Sequence, residues 1–314
     1  MVCLYHFICT TTGYITNVLT LNIFHFGQLG VSMFFVISGV VLPLSMINGN
    51  YKTSSWKSFL LKRIIRIEPP YLLAVLLAVI YVYLSSLMNH TSSVDIVLSF
   101  KNILLHMGYL VPFFEKGQWL NGVFWTLAIE FQYYILLMIL FPLMTNKKLF
   151  FRVIFYTILL IPGLLITTKV VFFPLYGSLF LIGILYILRK SNKISMIEYV
   201  IMLIITSLIV FHLLGVQHLF VALFALIIVS YFPNLKQKQF YFLGKISYSL
   251  YLIHSLTGSV LINVFSHYFT QSYQKPILII SGLIISISAS YVMYFFIEKP
   301  SQKLAASIKY KSFS

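Results

Sequence analysis

The stretch LKRIIRIEPPYLLAVLLAVIYVYL, residues 61–84, places Lys62, Arg63 and Arg66 at its start and then runs almost wholly apolar. Only 9% of the 314 residues are charged, 60% are hydrophobic, and the mean hydropathy is +0.95. Apolar runs of roughly 18 to 23 residues recur along the chain, the length that carries a helix across a hydrocarbon core of about 30 Å. In lipid every backbone polar group must be paired, within a helix or around a closed barrel. The runs are continuous and do not alternate, which selects helices. The sequence therefore predicts an all-α, polytopic transmembrane helical bundle and excludes a soluble globular protein.

Working outward from residues 61–84, spans are expected near 29–48, 71–88, 121–145, 150–168, 170–188, 197–214, 217–233, 246–266 and 275–297. An apolar start at 1–20 reads as a span lacking its first half, giving about ten crossings. Threaded alternately, with 51–70 inside, the chain leaves four cations outside: Lys101, Lys116, Lys169 and Lys275. The other eighteen of the 22 lie on the inner side. That is the positive-inside distribution. The net charge of +16 thus reports orientation, with a cytoplasmic C-terminus, and not a nucleic-acid surface. Residues 89–120 form the longest gap, outside, and their apolar middle is too short to cross; a re-entrant or interfacial element is expected. Cys3 and Cys9 form no disulfide framework or metal pattern, and no signal peptide or internal repeat is legible.

Several residues are costly in such a chain. Arg63 and Arg66 sit at i and i+3, where like charges repel on a helix; they either set orientation or, with an anion between them, form guanidinium forks suited to phosphate. Glu68 is placed to pair with either arginine. Pro69 and Pro70 are expected to end any helix carrying them. Glu130 lies nine residues beyond Asn121, about 13 Å along a helix. An acid near the bilayer centre costs roughly 2.5–3.5 kcal/mol, so Glu130 is either a paired structural acid or part of a polar site in the bundle. Tyr133 and Tyr134 share its face. His6 and His254 lie within apolar runs, where an ionisable group is a candidate functional residue and a histidine suits proton transfer; the alternative is a neutral histidine bonded to a neighbouring helix. His90, His106, His212, His218 and His267 fall in or beside loops and read as interfacial polar residues; His25, also on the outer side, stays open between that reading and a functional one. Ser247 and Ser249 have no base beside them in sequence, so no serine nucleophile is expected.

Six stretches in order, YHF (5–7), GVSMFFVISGVVL, FLLKRIIRIEPPYL, GVFWTLAIEFQYYIL, LGKISYSLYLIHS and FFIEKPSQKL, resemble the integral-membrane acyltransferase 3 family, whose members include bacterial polysaccharide O-acetyltransferases. The resemblance covers nearly the whole length, so 1–314 is read as one acyltransferase-3-like domain with no appended soluble domain, acting alone or with a separate partner. It implies transfer of an acyl group from acetyl-coenzyme A to a hydroxyl of a cell-surface glycan or lipid-linked glycan, with no metal. It implies a multi-pass protein of the bacterial cytoplasmic (inner) membrane. His6 matches the first-span catalytic histidine, Arg63 and Arg66 the R-x-x-R arginines on the coenzyme A side, and Glu130 the acid of a W-S-L-x-x-E-like stretch, here Trp125-Thr126. Tyr133 and His254 are second-tier candidates for lining the site. The family commonly has an arginine eleven residues before its first-span histidine; here that position precedes Met1.

In the expected mechanism the arginines hold coenzyme A phosphates, His6 acts as general base or carries the acyl group, and Glu130 orients the histidine. The rival class is a transporter or flippase of glycan, against which the missing inverted repeats and the arginine pair at one membrane face both count. A third reading is an inactive, truncated family member.

Overall fold

The computed structural model describes residues 1–11, 13–88, 94–114, 117–165, 172–231 and 238–310. His90, Lys116, Lys169, Lys236 and Lys311 lie outside the described residues. Along the chain run α1 (Val2–Cys9), α2 (Val18–His25), α3 (Gly30–Asn48), α4 (Trp56–Met88), α5 (Val94–Val97), α6 (Phe100–Met107), α7 (Trp125–Met144), α8 (Leu149–Leu165), α9 (Phe173–Lys190), α10 (Met196–Leu214), α11 (Val216–Tyr231), α12 (Lys238–His254), α13 (Val260–Phe265), α14 (Gln274–Met293) and α15 (Lys299–Ser307). The described residues contain no strand. The architecture is the all-α polytopic bundle that continuous apolar runs demand.

Among the described residues, seven helical stretches are long and apolar enough to cross a membrane: Val18–Asn48, Thr53–Leu87, Trp125–Met144, Phe173–Lys190, Met196–Leu214, Tyr241–Phe265 and Gln274–Ser307. About ten were expected. The difference lies in α8 and α11, which are apolar but shorter, and in α1, which has eight residues. A second expectation is corrected at the opening stretch: α4 runs unbroken through Pro69 and Pro70. The two prolines remove the N–H groups that would bond the carbonyls of Ile65 and Arg66, a loss that membrane helices tolerate where neighbours supply other donors.

The chain divides into two compact units, each assembled from three separate segments. One comprises Met1–Gln28, Arg63–Ala128 and Leu235–Ser307. In it α12 packs on α14, and α1 packs on α14 and on the wide turn that follows α12. Phe7, Tyr14, Ile262 and Leu278 form an apolar cluster there. The segment after α4 folds into short helices too small to span. Asn102 ties it down, its amide donating to the carbonyls of Val97 and Gln118 at 2.9 Å each. His106, fully buried, donates from Nδ1 to the Asn102 carbonyl (2.8 Å) and accepts the Leu120 N–H at Nε2 (3.0 Å). It is a structural histidine, fully buried within α6 and not the interfacial polar residue that its place beside a loop suggested.

The other unit comprises Leu29–Lys62, Ile129–Asn234 and Ile308–Ser314. Its centre is α9, buried along Gly177–Leu185 as expected of a helix apolar on every side. The α3–α9 crossing is set by two glycines: a Cβ on Gly39 would lie 2.1 Å from the Phe180 carbonyl oxygen, and one on Gly183 2.2 Å from that of Val36. Small residues give this close backbone approach. Ser32 Oγ and His218 Nδ1 bond at 2.7 Å, joining α3 to α11. Arg152 is not a free cation of the inner face. It is buried and forms a fork with Glu198, Nε to Oε1 at 2.8 Å and Nη2 to Oε2 at 2.5 Å, while Nη1 donates to the carbonyls of Asn146 and Lys147. Tyr156 adds a hydroxyl to Glu198 Oε1 at 2.9 Å.

Candidate active site

His254 ends α12, and the chain then makes one turn of π-helix, Ser255–Ser259. Such single wide turns inside α-helices occur often at functional sites. Two side chains from the segment before and within α7 hold this stretch. Asn121 donates to the Leu252 carbonyl (3.2 Å) and accepts from Ser255 Oγ (2.8 Å). Thr126 and Tyr251 hydroxyls bond at 2.6 Å, and the Tyr251 hydroxyl lies 3.0 Å from the Val123 carbonyl. Within the turn, Gly258 meets Phe7 of α1. A Cβ there would lie 2.3 Å from Phe7 Cζ and 2.6 Å from Ser286 Oγ. The absence of that Cβ lets α1 settle on the turn.

The consequence is a pair of histidines. The rings of His6 and His254 lie 5.1 Å apart between centroids, tilted by 57°. His254 is fully buried, and its Nδ1 donates to the carbonyls of Tyr251 (2.9 Å) and Leu250 (3.0 Å). That fixes the neutral tautomer with a bare Nε2, for which the described residues offer no hydrogen-bond partner. His6 is half-buried, and Tyr5 meets its ring edge-on at 5.1 Å.

The arginines belong to the same unit. Arg63 is buried and Arg66 exposed, one helical turn apart on α4. Arg66 acts favourably on the charge of Glu298, which sits in a second π-helical turn, Tyr294–Glu298. Glu298 is 2% exposed; its Oε2 accepts the Ser249 N–H (3.1 Å) and hydroxyl (2.5 Å), and its Oε1 accepts from Gln302 (2.8 Å). Ser249 thus has a carboxylate beside it, but both its donors are spent on holding that carboxylate, so it stays a structural serine. Glu68, expected near the arginines, interacts with Tyr109.

The family profile described as an acyltransferase domain matches residues 1–295. The chain belongs to the acyltransferase 3 family. No curated protein and no solved structure matches it. Within this acyltransferase, the remaining candidates, Glu130 and Tyr133, lie in the other compact unit. Glu130 is buried; its Oε1 accepts from Ser38 Oγ at 3.3 Å and from the Tyr134 hydroxyl by a short bond. Tyr133 is fully buried against Phe180, ring centroids 4.1 Å apart, and stacks with Phe173 at 5.9 Å. The two tyrosines that follow Glu130 therefore do different things, one bonding the acid and one filling an aromatic cluster.

Sequence reasoning missed Glu298, its bond to Ser249 and the anchoring role of Asn121. In YFFIEKPSQKL, Glu298 follows four aromatic or aliphatic residues. An acid there is as expensive in lipid as Glu130, and that cost is the signal that marks it in the sequence.

Proposed function

We propose that the chain is a membrane-embedded O-acyltransferase that moves an acetyl group from acetyl-coenzyme A to a hydroxyl of a cell-surface glycan or its lipid-linked precursor. The observation that carries this reading is the His6–His254 pair in a unit that also holds Arg63 and Arg66. Arg66 presents an exposed guanidinium for the donor's phosphates, and Arg63 sits one turn away. His6 takes the proton of the acceptor hydroxyl as its oxygen attacks the thioester carbonyl, and returns that proton to the departing thiolate. Glu130 is the second candidate catalytic group, by family resemblance. Residues 1–314 act as one domain of the bacterial cytoplasmic membrane, with the C-terminus cytoplasmic.

The test supplies labelled acetyl-coenzyme A to membranes carrying the full chain. Label is expected in the glycan fraction and is lost in His6→Ala. Arg66→Ala is expected to raise the KM for the donor about 10-fold or more, the equivalent of one charge-assisted bond. Unchanged labelling in both His6→Ala and Arg63→Ala/Arg66→Ala proteins, at wild-type abundance, overturns the proposal.

A further inference from the structure

A buried polar atom without a partner is rare, and each one asks for an explanation. His254 Nε2 is such an atom among the described residues, and its tautomer is fixed from the other side of the ring by two backbone carbonyls. The aromatic rings that face it belong to His6 at 5.1 Å, Tyr251 at 6.1 Å and Phe7 at 6.2 Å. Of these, Tyr251 spends its hydroxyl on Val123 and Thr126, and Phe7 has nothing to donate. Only His6 brings a ring N–H. The two rings make no hydrogen bond as they stand, but two imidazoles joined by an N–H···N bond of about 3 Å have centres about 5 Å apart, so at 5.1 Å a turn of the His6 ring is enough to form one.

We propose that His254 is the positioning residue of the reaction: by a small turn of the His6 ring, its Nε2 comes to accept one N–H of His6 and thereby decides which His6 nitrogen is bare. This deepens, and rests on, the assignment of His6 as general base. A third group does this in a catalytic triad, where it is an acid; here it is a neutral imidazole, whose own proton is tied to the helix backbone. The proton accounting closes. Neutral His6 donates one N–H to His254 and offers the other nitrogen to the acceptor hydroxyl. On taking that proton His6 becomes a cation, and the bond to His254 becomes charge-assisted and stronger. A C–O bond forms, the C–S bond breaks, the thiolate takes the proton from His6, and His254 ends as it began. The contact therefore favours the state that carries the extra charge, which is what accelerates a step.

Two substitutions separate this from a packing role. His254→Leu removes the acceptor; kcat is expected to fall about 10²-fold, with the donor KM within about 3-fold of wild type. His254→Gln restores an acceptor oxygen and is expected to recover at least about tenfold of that loss. A packing role gives the reverse ranking. His254→Leu turning over at wild-type rate, or Leu and Gln proteins equally impaired at wild-type abundance, overturns the inference. Where the Leu protein fails to assemble, the unsubstituted chain labelled with 15N-histidine decides: the Nε2 acceptor resonance of His254 is expected to shift on His6→Ala, and an unmoved resonance overturns the pairing. Failure of wild-type membranes to transfer any acyl group, with the resonance still shifting, refutes the assigned reaction and leaves the histidine pair standing.

Discussion

His106 accepts the Leu120 N–H at the nitrogen that a second proton would need, and burial holds its titration below the ordinary 6.5. The folded protein therefore keeps this ring neutral where an unfolded chain would protonate it. Its contribution to stability is complete above the ordinary value and is lost as pH falls below it toward the depressed one. Thermal unfolding in detergent, followed from about pH 7.5 downward, is expected to show a declining midpoint that His106→Phe flattens. The same substitution leaves the Leu120 N–H unpaired and is expected to cost about 1–3 kcal/mol at neutral pH. Arg152 and Glu198 make the complementary case. Glu198→Ala strands a buried guanidinium and is expected to cost about 3–5 kcal/mol, read as a lower unfolding midpoint.

At the scale of an element, the turn Ser255–Ser259 decides whether α1 and α12 can present their histidines to one another. Gly258→Ala puts a methyl group into Phe7. It is expected to reduce acyl transfer at least about 10-fold by displacing His6, since small misplacements of a catalytic group are expensive. Phe7→Leu in the same chain removes the clashing ring atoms and is expected to restore part of the activity. Gly183→Ala meets backbone instead, with no side chain able to yield, and is expected to destabilise by about 1–3 kcal/mol or more without a second-site remedy. Sequence reading did not single out either glycine, because each contact joins segments far apart in the chain. It also expected α4 to stop at Pro69, because the rule for an isolated chain does not include the neighbours that steady a membrane helix.

For the whole molecule, charge distribution was the legible quantity. Cysteines placed at Lys52 and Lys303 are expected to react with membrane-impermeant reagent from the cytoplasmic side only, and one at Lys101 from the opposite side only; the converse pattern would invert the topology. His6 and Glu130 stood out as candidates because lipid makes an ionisable side chain expensive whatever it touches, and Arg63 and Arg66 because like charges sit one turn apart. Glu298 with Ser249, His254 as the neighbour of His6, and Arg152 with Glu198 were not, because each contact joins segments that no local spacing relates. Phe7 and Gly258, the residues that dock α1, lie near opposite ends of the chain. During synthesis His6 is therefore made long before His254, with α2 to α11 emerging between them. If His6 is the base proposed above, a nascent protein halted before residue 254 holds it without the ring proposed to orient it.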